Sequence, residues 1–344
     1  MIIYAYMDLD SVAYVGASVA QKAKYQYIHN DGETKSEVFN SARDGKNWLK
    51  QGADFEELDP SEWTRKTIVD IQPEKVALKA VDYELESWFR TAKKLTGNDN
   101  IIPRGFLTSS GLKDKDIGGL EDRYQFNRYE CRKSWTPKEK PVHLKACREY
   151  LLTKYDWIKM SPIGVEADAP VLHFAEKRGS SAVCMSKDKD LKQMFKGHFI
   201  DMNEEEEYRV LLDCTELGFL DVKENAKGDK TVFGQGFKLL CFQTCVGDVS
   251  DGYKGLHRYG QMSGYELLQG LSTVEECCKA MVDLYKTKFP DGKEYKSWDG
   301  EKVHRTWEEL LIQHCELAYH NRGSKDTTNP MQRYLNNEDP IVRH

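Results

Sequence analysis

Acidic side chains in closely spaced pairs are the residues of this 344-residue chain best suited to chemistry. Carboxylates gathered in one place would repel one another, and they are stable there only with bound cations or raised pKa values. Their hard oxygens favour Mg²⁺ or Mn²⁺ over Zn²⁺, and two such ions ~3.5–4 Å apart promote in-line hydrolysis of a phosphodiester bond. Four short segments each carry two carboxylates: Asp8 and Asp10, Glu166 and Asp168, Asp188 and Asp190, and Asp248 and Asp251.

Each pair by itself also fits an ordinary structural role. Residues 8–10 suit the cap of a helix, and the Lys-Asp-Lys-Asp run at 187–190 suits a charged surface turn. Two of the pairs, however, directly follow predicted strands, and loops at the carboxyl ends of parallel strands gather in one crevice. The order and surroundings of the four pairs therefore favour one shared metal site.

The elements that must position these pairs follow from the apolar pattern. Apolar runs at 2–10, 101–108 and 181–186 predict strands. Helical periodicity marks 73–96, and an Asp-Gly turn within 25–39 predicts a β-hairpin. Strands that alternate with helices through the first 200 residues predict an α/β fold with a mostly parallel sheet, followed by a helical region from about 234. Further helices are predicted at 11–24, 41–51, 141–155 and 170–177, and a loop at 109–121.

The charge distribution bears on the class of partner. A net charge of −6 argues mildly against nucleic acid, since phosphate binding uses Lys and Arg. A dense acidic centre lowers the total, however, while basic patches persist elsewhere. One patch spans 123–148, where eight Lys and Arg residues are interleaved with aromatic rings. This composition suits phosphate contact and base stacking, and it equally suits a solvated surface. The candidate DNA contacts in it are Arg123, Arg128, Arg132 and Lys133.

A glycine-rich stretch at 245–260 surrounds the fourth pair. Glycine turns expose backbone N–H groups that can hold a phosphate, and we predict two short helical pieces around such turns. With a following helix at 263–269, the stretch would form a helix–turn–helix-like unit that grips a strand's backbone without reading bases. The candidate DNA contacts in it are Gly252, Lys254, Gly255 and Gly260.

Cysteine content and hydropathy indicate the cellular compartment of the protein. Nine cysteines without a C-x-x-C pair indicate reduced thiols. No run approaches the roughly 18 apolar residues that span a bilayer, and the N-terminus has the pattern of a first strand rather than a signal peptide. We therefore expect a cytoplasmic protein with no membrane partner.

Together these segments resemble the 5′-nuclease superfamily of flap endonucleases and 5′→3′ exonucleases, and within it the phage exonucleases of the bacteriophage T7 gene 6 type. The likeness covers residues 1 to about 270 in family order. Its most specific part is similar to the helix–three-turn–helix motif, which grips duplex DNA. The matching stretches are 7–14 (MDLDSVAY), 164–168 (GVEAD), 186–191 (SKDKDL) and 242–255 (FQTCVGDVSDGYKG).

The resemblance implies a PIN-like nuclease domain over 1–232 and a helical DNA-binding region over 233–344, with a hairpin insertion at about 25–70 and an arch or loop at about 109–140. It implies hydrolysis of DNA at 5′ ends or flaps, and of RNA primers in RNA–DNA hybrids. The enzyme would be a monomer with two Mg²⁺ or Mn²⁺ ions and a K⁺ ion at the helix–three-turn–helix motif. Its place of action would be the cytoplasm of a phage-infected bacterium.

The resemblance also implies roles for individual residues. The first metal site would use Asp8, Glu166 and Asp168, and the second Asp188, Asp190, Asp248 and Asp251, with Asp10 as a further ligand. The catalytic set that it implies is Asp8, Glu166, Asp168, Asp188, Asp190, Asp248 and Arg132.

Three positions depart from the family pattern. Ala169 stands where a further aspartate is common, and Ser109 lies where many members carry an aspartate after the second strand. Tyr129 falls where the arch usually has a Lys that helps to hold the scissile phosphate, and Arg128 is the neighbouring cation that would replace it. These losses weaken the first metal site and the phosphate clamp.

Two other functions use the same residues. One is a branched-DNA-binding module with impaired catalysis, which would bind DNA in chelator without cutting it. The other is a PIN-type ribonuclease, but simple members of that class lack the glycine-rich unit found here at 247–260.

Overall fold

The computed structural model describes residues 2–51, 58–109, 140–163, 165–193, 195–225, 227–248, 253–297, 300–319 and 328–341. In chain order its elements are β1 (Ile3–Asp8), α1 (Asp10–Val19), β2 (Gln21–His29), β3 (Lys35–Phe39), α2 (Ala42–Gln51), β4 (Trp63–Ile71), α3 (Glu74–Thr96), β5 (Ile101–Leu107), α4 (Leu144–Lys154), β6 (Ile158–Met160), α5 (Asp168–Arg178), β7 (Ala182–Ser186), β8 (Gly197–Asp201), β9 (Leu211–Cys214), β10 (Phe219–Glu224), β11 (Lys230–Gln235), α6 (Gly236–Val246), α7 (Gln261–Leu268), α8 (Val274–Lys288), β12 (Lys293–Lys296), β13 (Lys302–Arg305), α9 (Trp307–Ala318) and α10 (Pro330–Leu335).

The described residues fall into two compact units. The first draws on Met1–Ser11, Ser87–Lys138 and Tyr155–His344, and the second on Val12–Glu86 and Glu139–Lys154. The boundary between domains that the sequence suggested at 232–233 stays a prediction.

A six-stranded sheet lies at the centre of the first unit. Its strands run in the order β6-β5-β1-β7-β8-β9, and every neighbouring pair is parallel except β8 with β9. The side chains of β7 are all buried, as is usual for a strand of a parallel sheet that is covered on both faces. The prediction of an α/β fold with a mostly parallel sheet flanked by helices is confirmed.

A second core in the first unit is built around α6. Nearly all of its residues are buried, so this mostly apolar helix is covered around its whole circumference, as expected of a central helix. Reciprocal capping boxes at Thr273 with Glu276 and at Thr306 with Glu309 fix the starts of α8 and α9. The predicted helical C-terminal region is present, but it also contains an antiparallel hairpin, β12–β13, that the apolar pattern did not show.

The second unit contains a three-stranded antiparallel sheet in the order β3-β2-β4. The predicted hairpin is confirmed, and β4 extends it. The predicted helix at 11–24 is wrong in its last part. It ends at Val19, because Gln21–His29 forms the strand that pairs with β4. Aromatic rings of Tyr27, Phe39 and Trp48 pack over this sheet.

Across the described ranges, no helix combines the length and the apolar character needed to cross a membrane.

Candidate active site

The carboxyl ends of β1, β5 and β7 meet at one edge of the central sheet. Asp8 is the last residue of β1 and lies opposite Phe106 of β5, while Met7 lies opposite Met185 of β7. Residues that follow these strands are therefore delivered to the same place, as in other parallel sheets. Asp10 begins α1, Asp168 begins α5, and Asp188 follows β7.

Asp8 lies at the centre of a first group of four carboxylates. Its pKa is raised to about 8, mainly because the carboxyl group is buried and then because Asp10, Asp168 and Asp188 repel its negative charge. Two weak hydrogen bonds reach it, from the Asp10 N–H and the Ser186 hydroxyl, each over 3.2 Å. The structure therefore brings together four of the predicted site residues in one electrostatic cluster.

Ser186 and Thr108 hold the loops that carry this first group. The Ser186 hydroxyl accepts the N–H of Asp188 at 2.9 Å and so joins the end of β7 to Asp8. The Thr108 N–H donates to Asp10 at 3.0 Å, and its hydroxyl accepts the N–H of Ala167 at 2.9 Å. Both residues were missed as site residues, since a small hydroxyl at a strand end carries no distinctive sequence signal.

Glu166 lies next to this group, two residues before Asp168 and in the loop that Thr108 holds through Ala167. The predicted first-site ligand Glu166 is therefore a neighbour of the cluster, and its role stays a prediction.

At Ser109, where the sequence resemblance led us to expect an aspartate, the structure has a hydrogen-bonded turn. The Ser109 N–H donates to the Ser161 hydroxyl at 3.0 Å, and the Ser109 hydroxyl donates to the carbonyl of Pro162 at 2.9 Å. Ser109 is buried. This position ties β5 to the segment after β6 and offers no carboxylate to the site.

A second group forms around Asp190 and Asp248, both of which are buried. The Gln243 amide nitrogen donates to Asp190 at 2.6 Å and to Asp248 at 3.2 Å. The Lys189 ammonium lies 2.7 Å from Asp248. A single amide and a single cation thus hold carboxylates from two distant segments side by side. Gln243 and Lys189 were not assigned roles from the sequence. The one sequence feature that could have indicated Gln243 is its position as a polar residue in a mostly apolar helix.

Asp188 connects the two groups. Its carboxylate accepts the N–H of Asp190 at 2.9 Å and caps the short turn Lys189–Lys192. The same carboxylate contributes to the field at Asp8. The two groups therefore share one loop.

Asp248 is fixed by an unusually close backbone crossing. Its N–H and C=O pair with Tyr253 over 3.0 and 3.1 Å. A Cβ added at Gly247 would lie 2.4 Å from the backbone N of Gly255, and a Cβ at Gly255 would lie 2.4 Å from that of Gly247. Both glycines also have positive φ values, 87° and 59°. Only glycine fits at these two positions.

The predicted short helices at 245–260 are not formed by the described residues of that stretch. They are replaced by the end of α6, the Asp248–Tyr253 bridge and a turn that precedes α7. Lys254 is exposed there, and Gly260 is the residue before α7, which begins at Gln261 rather than 263. The reason for the difference is the close glycine crossing, where the positive φ values of Gly247 and Gly255 interrupt a right-handed helix. DNA binding by Lys254, Gly255 and Gly260 stays a prediction.

Several predicted site residues lie outside the described residues. They are Asp251, Gly252, Arg123, Arg128, Arg132 and Lys133.

The carboxylate oxygens of the site suit a hard divalent cation, but the described side chains do not surround a single point. A raised pKa at Asp8 among three other carboxylates is the electrostatic situation that a bound cation relieves. Within the described ranges, however, no three Asp, Glu, His or Cys side chains are arranged to hold one metal ion. The chemistry of the donors fits Mg²⁺ or Mn²⁺, and their binding stays a prediction.

Comparison with known proteins adds a partial likeness to solved structures. No family model and no curated protein matches the chain. The 5′-exonuclease of bacteriophage T5 with bound zinc is 15% identical, over 69% of this chain and 80% of that one, with a TM-score of 0.36. A T5 flap endonuclease in complex with DNA and metal ions is 12% identical, over 69% of this chain and 91% of that one, with a TM-score of 0.31. These proteins carry the names of the enzyme class that the sequence resembles.

Proposed function

We propose that this chain is a metal-dependent nuclease that hydrolyses DNA at 5′ ends or 5′ flaps, and RNA primers in RNA–DNA hybrids. The observation that carries the proposal is the gathering of Asp8, Asp10, Asp168 and Asp188 at one sheet edge. Clustered carboxylates are costly to a fold that makes no use of them, because each raises the energy of the others' charged forms. The preference for 5′ ends rests on the resemblance of the four sequence stretches.

Bound Mg²⁺ or Mn²⁺ would supply an activated water and would stabilise the leaving oxygen. Asp8 and Asp168, with Asp10 as a further ligand, would bind one ion, and Asp188, Asp190 and Asp248 would bind or support a second. Glu166 and Asp251 complete the proposed ligand set, and Arg132 is the proposed phosphate clamp. We also propose that the enzyme acts as a monomer in the cytoplasm and that K⁺ binds near the glycine crossing.

The chain's own residues prepare this site in three ways. Gln243 orients Asp190 and Asp248 through its amide. Lys189 partly neutralises Asp248, so that a phosphate can approach an otherwise anionic surface. Thr108 and Ser186 keep Asp10 and Asp188 within reach of Asp8. Each of these contacts fixes a ligand before any ion binds, which is how supporting residues tune a metal site.

A labelled 5′-flap duplex incubated with Mn²⁺ or with EDTA tests the proposal. Cleavage should require the ion, and Asp188→Asn should reduce it by at least about 100-fold, since catalytic metal ligands contribute several kcal/mol to transition-state stabilisation. Glu207→Gln is the matched control, because it removes one exposed carboxylate elsewhere in the same unit. Equal cleavage by Asp188→Asn and Glu207→Gln would remove the proposed site. A panel of blunt duplex, single-stranded RNA and RNA–DNA hybrid defines the substrate.

One observation favours a second candidate, a DNA-binding module with impaired catalysis. The described carboxylates do not close around one point, and Ala169 stands where a further aspartate is common. Such a module would bind the flap duplex in EDTA and release no product in Mn²⁺. Isothermal titration of Mn²⁺ then separates the two candidates, because only the enzyme needs saturable binding of the ion.

A further inference from the structure

A pocket of about 550 Å³ lies on the face of the central sheet that also carries Asp8. Side chains alternate along a strand, so Tyr6 and Asp8 of β1 point to the same face. Tyr6 lines the pocket with Phe106 of β5 and Phe174 of α5. Val165, which precedes Glu166, lies on its rim. The pocket is therefore next to the proposed site but consists of different residues.

Three rings of this pocket are nearly parallel. Phe174 lies 6.0 Å from Tyr6 at an interplanar angle of 16°, and 5.9 Å from Phe106 at 12°. Tyr6 is buried, whereas Phe174 is 40% exposed. Exposing a large ring has a free-energy cost. An aligned set of rings with one member open to solvent offers a stacking surface for a further planar group.

Three basic side chains surround these rings. Arg104, Lys159 and Arg178 are exposed and line the pocket, and none of the described carboxylates lines it. Within the described residues none of the three forms an ion pair. Arg178 is held in place by its position 3.8 Å over the Tyr4 ring and by a hydrogen bond with Tyr6, which raises its pKa. The pocket is thus positively charged in a chain whose net charge is −6.

We propose that this pocket binds one nucleotide, with the base stacked on Phe174 and the phosphate against Arg104 and Lys159. Planar aromatic stacking together with cationic side chains is the combination that recognises a base attached to a phosphate. A purely apolar ligand would leave the three cations unused, and a simple anion would leave the rings unused. The inference adds a nucleotide subsite beside the proposed catalytic site, and it does not require that cleavage occur.

Isothermal titration in EDTA tests the subsite without any cleavage. The probe is deoxyadenosine monophosphate, and ribose 5-phosphate is the comparison that lacks the base. We expect the nucleotide to bind saturably and the sugar phosphate to bind at least about fivefold more weakly, since one stacked base contributes a factor of this size or more. Phe174→Leu keeps an apolar side chain and should remove this preference. Equal binding of the two probes, or no saturable binding of the nucleotide, would overturn the proposal.

The charged part of the pocket has its own matched control. Arg104→Gln with Lys159→Gln should weaken nucleotide binding about tenfold or more, because two charge-assisted contacts are lost. Lys223→Gln with Lys230→Gln changes the net charge equally on an exposed hairpin and should leave binding unchanged. Equal weakening by both double variants would show nonspecific attraction and overturn the site.

Two further experiments extend the test. One asks whether the pocket takes a strand end or a free nucleotide, and the other separates this proposal from the catalytic one. A short 5′-phosphorylated single strand should bind more tightly than the mononucleotide if the pocket takes a strand end, and no more tightly if it takes free nucleotide. Asp8→Asn should abolish cleavage and leave nucleotide binding intact. Loss of nucleotide binding in that variant would show that the pocket is not separate from the carboxylate cluster, and it would overturn a distinct subsite.

Discussion

The Lys189 ammonium lies 2.7 Å from the Asp248 carboxylate, and its side chain is 57% exposed whereas that of Asp248 is 5% exposed. The exposed lysine therefore places a positive charge directly beside a buried carboxylate.

Lys189→Gln should lower the free energy of unfolding in EDTA by about 1–2 kcal/mol, less than for a fully buried pair because the lysine is partly solvated. Mn²⁺ should restore most of this loss, since it replaces the missing positive charge. Urea unfolding with and without Mn²⁺ measures both effects. Lys196→Gln, an exposed lysine of the same unit, is the control. A loss that Mn²⁺ does not reduce would contradict the proposed proximity of a cation to Asp248.

Deprotonation of Asp8 should make the metal-free protein less stable as the pH rises. Its folded pKa of about 8 exceeds the ordinary value of 3.8, so the stability that the bound proton confers is complete below about pH 4 and is lost as the pH rises through 8. The slope should approach about 1.4 kcal/mol per pH unit. Urea unfolding in EDTA between pH 5 and pH 8.5 should show a smaller slope for Asp8→Asn. Identical slopes would mean that Asp8 ionises normally.

Alanine should destabilise the fold strongly at Gly247 of the backbone crossing and hardly at all at the nearby Gly260. Gly247→Ala places a Cβ 2.4 Å from backbone at a positive φ of 87°, and it should destabilise the fold by about 2 kcal/mol or more. Gly260→Ala meets nothing within 4 Å and should change stability by less than about 0.5 kcal/mol. Thermal unfolding compares them. A neutral Gly247→Ala would show that the crossing relaxes readily.

His314 should make the helical core sensitive to acid. Burial lowers the pKa of its ring from 6.5 to about 3, so stability is complete above about pH 6.5 and is lost as the pH falls toward 3. Its ring nitrogen Nδ1 lies 2.7 Å from the Tyr285 hydroxyl. His314→Asn should be less stable at neutral pH and should show a weaker dependence below pH 6.5, whereas the exposed control His257→Asn should keep the native slope. Chemical unfolding at several pH values decides between them.

The sequence predicted β1, β5 and β7 of the central sheet because these strands carry short apolar runs, whereas β6, β8 and β9 were not predicted. Ala182–Ser186 is buried throughout, and the run that ends at Asp8 is nearly so. The β12–β13 hairpin was missed for the opposite reason. Its strands, KEYK and KVHR, are mostly charged and lack a readable apolar face.

The carboxylates of the site were predictable, but their supporting residues were not. Asp8 and Asp188 follow strands, and the geometry of a parallel sheet then brings them together. The roles of Gln243 and Thr108 depend on partners about 50 to 100 positions away in the chain. Such contacts arise only from tertiary packing, and no local pattern announces them.

The order of strands in the central sheet has a consequence for synthesis on the ribosome. β1 is translated before β5 and β7, the two strands with which it pairs. Closing such long loops delays assembly. β1 therefore lacks its first partner strand until β5 has been made, and its second until β7 follows. The carboxylate group around Asp8 can therefore assemble only after residue 188 has left the exit tunnel.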